Sequence, residues 1–283
     1  MINFYKERNF ESLFSDTFRF IRQEFKPFLT TILKITGPWL VLLLIGYVGY
    51  SYSMGDFLDN VLATYEEVTP IQGIVSIIVM AVGAVGAYVL AQASVLYYID
   101  SYNRNEGTAV FEEVSRNAYQ YFFSFWGLGF VTGILFMIGF VFCIIPGIYL
   151  WVPLTLSFPV LAFQKKGVFE SVGYTFTLIK DEWWNSFGFL FVLVLLLSIA
   201  GSAFSIPTII YSFAKMFTGG ELDPENVADL SKDYIYITLN TLGLVLQFVL
   251  NFASIVGGAF LYFSLQEKNT QTGTLSEIDK LGS

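Results

Sequence analysis

The sequence contains no histidine and a single cysteine, and it is poor in charge. Without histidine, the commonest general base at neutral pH and the commonest metal ligand are both missing. Cys143 stands alone, so no intramolecular disulfide can form, and its apolar neighbours Phe142 and Ile144 read as packing surroundings. Charged residues make up 13% of the 283 positions, where a soluble globular domain carries about 25%. There is no phosphate-binding glycine loop; Gly83 and Gly86 sit inside an apolar run, where small residues let helices approach closely.

The long apolar runs contain neither Asp nor Glu. Proton-relay pumps, aspartyl or Ser/His membrane proteases and zinc proteases therefore lack their machinery. Lys34 is the one ionisable residue expected inside a run, and it lies about 9 Å past the boundary, close enough for its amine to snorkel to the headgroups. No catalytic residue, metal ligand or cofactor site is expected, and the chain reads as a non-enzyme.

What is present is apolar and aromatic. Hydrophobic residues reach 55%, with 30 Phe, 17 Tyr and 5 Trp, and the mean hydropathy is +0.62. Charge-poor stretches of about 20 residues mark bilayer-spanning helices. Six are expected, at about 28–53, 71–99, 121–144, 147–164, 185–213 and 235–265. The fold class is thus an all-α integral membrane protein. Residues 1–266 form a single polytopic domain and 267–283 a flexible cytoplasmic tail. No cleavable signal peptide is expected, since no short apolar segment is followed by a small-residue cleavage site.

A turn at Ile145-Pro146-Gly147 is expected between the third and fourth spans. Tyr121 to Gln164 carries no charge, which is long enough for two crossings, though a shallower hairpin would leave the flanking loops on the same side. The fourth span contains Pro153 and Pro159, each of which removes a backbone donor, so this helix is expected to be kinked or broken.

Twelve Lys and Arg residues fall before the first span, in the second and fourth loops and in the tail, against Lys215 and Lys232 in the opposite loops. The rule that cationic loops stay inside puts both termini in the cytoplasm. The opposite loops are acidic, through Asp56, Asp59, Glu66, Glu67, Glu221, Asp223, Glu225, Asp229 and Asp233. Such a face repels nucleic acid and reads as solvated loops or an attractor of cations, without a calcium-loop spacing.

Three cytoplasmic amphipathic interfacial helices are expected, one ahead of each pair of spans. The first places Phe10, Leu13, Phe14, Thr17, Phe18, Ile21 and Phe25 on one face, with Arg19, Arg22 and Lys26 elsewhere. The second carries Phe111, Val114, Ala118 and Tyr121, and the third Phe169, Val172, Phe176, Ile179 and Trp183. Thr17 to Phe25 aligns with Thr175 to Trp183, a threefold internal repeat. Phe14, Phe18, Arg22, Phe176, Lys180 and Trp183 are the candidate contacts with the lipid interface or with a protein partner.

The sixth span carries the one polar stripe of note. Asn240, Gly243, Gln247, Asn251, Ser254 and Gly258 share a helical face, and Ser198, Ser202 and Ser205 form a weaker stripe on the fifth. Asn240, Gln247, Asn251 and Ser254 either line a path for a solute or lipid headgroup or act as interhelical hydrogen-bond glue.

The stretch Pro146-Gly147-Ile148-Tyr149-Leu150-Trp151-Val152-Pro153, then Pro159-Val160-Leu161, Gly167-Val168-Phe169-Glu170-Ser171, Thr175 to Lys180 and Trp183-Trp184 has a further meaning. Over residues 146–184 it resembles uncharacterised bacterial multi-pass membrane families related to the membrane domain associated with glycerophosphodiester phosphodiesterases. The resemblance implies the helical membrane module and a bacterial cytoplasmic-membrane setting. It implies no activity, because the catalytic domain is absent and no catalytic residue can be matched. The leading expectation is a scaffold or accessory subunit of a bacterial envelope complex, with membrane lipids and a protein as partners. The alternative is a lipid or small-solute transporter using the polar face of the sixth span.

Overall fold

A computed structural model of the chain describes residues 4–63, 71–142, 144–218 and 229–270. It is helical, with no strand among the described residues. In chain order the helices are α1 (Phe10–Ala63), α2 (Ile71–Arg104), α3 (Phe111–Gln120), α4 (Phe122–Phe142), α5 (Ile144–Gln164), α6 (Val168–Leu178), α7 (Trp183–Thr218) and α8 (Tyr234–Thr270). One further helical turn covers 229–232. Six are long and apolar enough to cross a membrane: Phe10–Phe57, Ile71–Arg104, Phe122–Phe142, Ile144–Gln164, Trp183–Phe217 and Tyr234–Thr270. This is the build of a multi-pass α-helical membrane protein.

Two boundaries differ from expectation. The first amphipathic stretch is not a separate helix: α1 runs unbroken for 54 residues from Phe10, through Pro27 and Pro38. The charge change near Phe28 alters the helix's surroundings without ending its hydrogen-bond ladder. Likewise, Pro146 and Gly147 do not form the turn but lie in the first turn of α5. Proline is tolerated there because the first N–H groups have no intrahelical partner to lose. Cys143 lies outside the described residues, as do Glu66, Glu67, Glu221, Asp223, Glu225 and the tail from residue 271.

The chain forms two compact units. The first comprises Met1–Ile35, Val89–Leu197 and Asn251–Ser283, the second Thr36–Tyr88 and Ser198–Leu250. The core of the first is built of aromatic rings. Phe4 stacks on Phe260 at 4.9 Å and meets Phe20 and Phe263 edge-on or tilted at 5.6 and 5.4 Å. Phe28 contacts Tyr98 at 5.1 Å and Phe252 at 6.3 Å. All of these rings are buried, and each large ring removed from solvent contributes about 1.5–3 kcal/mol before pair geometry adds its share.

The second unit is held by close backbone approach. A Cβ on Gly46 would meet the backbone of Met80, and one on Gly83 the backbone of Leu43. Gly86 lies under the Trp39 ring, and Gly49 faces the Ser76 hydroxyl. Each glycine pair repeats at three residues, so a single stripe on α1 fits a single stripe on α2. At one end of this unit Asp233 caps the start of α8, accepting from the N–H groups of Ile235 and Tyr236 at 2.9 and 3.2 Å. It also pairs with Lys215 at 2.7 Å and accepts from the Tyr211 hydroxyl at 2.8 Å. Lys215 and these donors pull the Asp233 carboxyl down to about 2.

Candidate functional site

The N-terminal segment supplies the most constrained polar group of the first unit. Arg8 has a side chain 1% exposed and donates through Nε to Asp16 at 2.8 Å. Its Nη1 donates to the carbonyls of Phe4 at 2.7 Å and Lys6 at 3.1 Å, and its guanidinium lies 4.9 Å from the Phe260 ring centre. The Arg8 backbone N–H donates to the Ser264 hydroxyl at 2.9 Å. Burial pushes the guanidinium down from its ordinary value, and the bond to Asp16 pulls it back up. Arg8 is thus the pin that holds Phe4 in the aromatic core. In the sequence it is one more cation ahead of the first span; a burial partner eight residues away leaves no pattern.

Beside this pin lies a polar cleft of about 710 Å³, lined by Lys6, Asn9, Ser12, Glu182, Asn185 and Ser186 among others. Asn9 caps α1 by accepting from the Ser12 N–H at 2.9 Å. Lys268 donates to Glu182, which also accepts from Asn185 at 2.7 Å, and these donors hold the Glu182 carboxyl below its usual range. The cleft's cations and carboxylates largely neutralise one another. No group of three or more His, Cys, Asp or Glu side chains that could hold a metal occurs among the described residues.

The amphipathic segments pack through faces narrower than their sequence stripes. In the first, Leu13, Thr17 and Phe20 are buried, while Phe10, Phe18 and Phe25 are exposed. Phe14 sits 4.8 Å from Phe189 on α7. Val114 and Ala118 are the buried residues of α3, and Ser171, Val172, Thr175 and Leu178 those of α6. The aligned repeat positions Thr17 and Thr175 are both fully buried, each bonding a carbonyl of its own helix. Three residues on, Phe20 and Leu178 are buried as well. The match ends there, because α1 continues where α6 stops ahead of α7. Of the candidate contact residues, Phe18, Arg22 and Lys180 are exposed. Phe14, Phe176 and Trp183 are only half-buried.

Trp183 has a defined task. Pro153 has no N–H to give to the carbonyl four residues back, that of Tyr149. The Trp183 indole donates to that carbonyl at 3.2 Å, and its ring stacks on Tyr149 at 5.4 Å. With this partner α5 passes Pro153 and Pro159 as one unbroken helix. Lys180 and Trp183 also border an apolar cleft of about 520 Å³ with Ile145, Ile148, Tyr149 and Phe187. Lys34 does not stand alone either: its amine lies 5.5 Å from the Phe111 ring centre.

The members of the sixth span's polar stripe have separate surroundings among the described residues. Asn240 donates to the Tyr236 carbonyl of its own helix at 3.1 Å, and with Ser205, Thr208 and Ser212 it borders a cleft of about 360 Å³. Gln247 lies against Gly201, whose missing Cβ makes room for the amide. Asn251 and Ser254 are half-buried, and immediately beyond them the buried residues from Ile255 to Phe263 begin. No family model matches the chain, and neither a curated protein nor a solved structure shows significant similarity to it.

Proposed function

We propose that this protein is a non-enzymatic scaffold or accessory subunit of a membrane complex in the bacterial cytoplasmic membrane, with both termini cytoplasmic. The observation that carries the reading is the ring-filled core of the first unit, where Phe4, Phe20, Phe28, Phe252, Phe260 and Phe263 are buried among one another. A scaffold acts through its surfaces. The surface in question is the exposed strip of α1, where Phe18 is 42% and Phe25 55% exposed beside the exposed cations Arg19, Arg22 and Lys26. Aromatic and arginine side chains are the usual anchors of protein contacts. The twelve-to-two imbalance of Lys and Arg supports the orientation. The resemblance over residues 146–184 is in keeping with the setting.

A photoreactive residue at position 18 tests this in living cells. The proposal expects an adduct with one protein, lost when Arg22→Glu is added; adducts with lipid alone would contradict it. The second reading, a lipid or solute transporter, draws on the small cleft that Asn240 shares with Ser205. It requires that Gln247→Leu with Asn251→Leu abolish transport while folding is kept.

A further inference from the structure

We infer that the α4–α5 hairpin enters the membrane and leaves it on the same side, seated among the acyl chains of one leaflet, so that only α1, α2, α7 and α8 cross. The argument starts from where the two ends of α5 are held. At its C-terminus the Gln164 amide donates to the Tyr262 hydroxyl at 2.9 Å and to Gln266 at 3.1 Å, on the last turns of α8. Fifteen residues earlier, the Tyr149 carbonyl is held by Trp183, the first residue of α7.

Within the first unit α7 and α8 run antiparallel. Gly257 receives Leu193, and Glu182, next to Trp183, bridges to Lys268. The start of α7 and the last turns of α8 therefore stand at one level. Both anchors of α5 are at that level, although about 22 Å of helix separates them. A helix parallel to α7 and α8 would carry Tyr149 that far along the bundle; α5 lies across it instead.

The order of the contacts along the two helices gives the same answer. A fully crossing α5 must run antiparallel to α7, so its later residues would meet earlier residues of α7. The contacts advance together instead: Tyr149 stacks on Trp183, and Trp151 meets Phe187 at 6.0 Å.

The occupant of the hairpin's outer surface follows from its chemistry. Phe130, Met137, Val141, Phe142 and Ile145 are 60–83% exposed, and no charged residue occurs from Tyr121 to Gln164. The arms are clamped by small residues, since a Cβ on Gly139 would stand 2.9 Å from Leu150 Cδ1. Trp184 is 78% exposed at the rim of the neighbouring apolar cleft, next to Lys180 and Asp181. An indole beside charged groups and an apolar surface is the signature of the headgroup boundary, and hydrocarbon covers the rest.

Sidedness of labelling decides the matter. In intact cells and in inverted vesicles, a membrane-impermeant maleimide is applied to Ile145→Cys and Ile148→Cys, each with Cys143→Ser. Phe217→Cys, at the far end of α7, and Phe169→Cys, on α6, are labelled in parallel, and labelling in detergent sets the maximum. The hairpin positions are expected to label several-fold less than Phe217→Cys from the Phe217 side, and either from the Phe169 side or from neither. The unmodified protein, whose only cysteine is Cys143, repeats the test without a substitution that could disturb folding. Labelling of the hairpin cysteines from the Phe217 side to the extent of Phe217→Cys overturns the inference.

Discussion

Replacing Arg8 by methionine removes the pin while keeping most of the side-chain volume. Breaking a buried ion pair from one side costs about 3–5 kcal/mol, most of it from the charge left behind. Here the partner left behind is Asp16, whose side chain is 23% exposed against 1% for Arg8, so water recovers part of that cost. Two carbonyls, of Phe4 and Lys6, also lose their donor, at about 1 kcal/mol each where water can replace it. The expected loss is about 3 kcal/mol. Asp16→Ala removes the carboxylate paired at 2.8 Å with Arg8, whose side chain is only 1% exposed, so it should cost a similar amount despite deleting a smaller group. The double variant should cost about 2 kcal/mol less than the two single losses added together, because each single variant already breaks the Arg8–Asp16 pair. Reversible unfolding in mixed dodecyl-sulfate and maltoside micelles measures all three, and proteolysis ahead of Phe10 reports whether the segment undocks. An Arg8→Met loss under about 0.5 kcal/mol, or strict additivity, would refute the pin.

Phe4→Ala should cost about 3–5 kcal/mol in the same assay, because the ring is fully buried among Phe20, Tyr102, Phe260 and Phe263. Gly83→Leu should cost at least about 1–3 kcal/mol, since the backbone of Leu43 cannot yield, while Gly129→Leu, with open space at its Cβ, should be near neutral. The Asp233 cap should respond to acid. Its carboxyl is depressed from 3.8 to about 2, so its contribution is present above pH 4 and is lost as the pH falls through that interval. Asp233→Asn should flatten that part of the stability profile; an unchanged profile in the variant would contradict it.

The sequence made the spans legible because lipid allows few solutions: a charge-free run must be a helix, and starts at 71 and 235 fall within one residue of Ile71 and Tyr234. It was less informative where surroundings change without a break in the backbone. Charge near Phe28 marked a boundary that α1 ignores, and Pro146-Gly147 resembled a turn although a proline suits a first helical turn equally well. The aromatic core was hidden by abundance. With 30 phenylalanines, periodicity could not separate buried Phe20 from exposed Phe18 and Phe25. The polar stripe of the sixth span was legible as a face, but its contacts were not, because they depend on glycines such as Gly201 in another helix. The crosswise position of α5 rests on pairings between residues far apart in the chain, such as Gln164 with Gln266.

The proposed role as a scaffold requires a protein that this one holds. The direct test is gentle purification from the native membrane at native expression, followed by mass spectrometry of everything retained. A scaffold should bring a stoichiometric protein partner with it, released by combining Phe18→Asp with Arg22→Glu. A partner-free protein, whose deletion destabilises no other membrane protein, would contradict it.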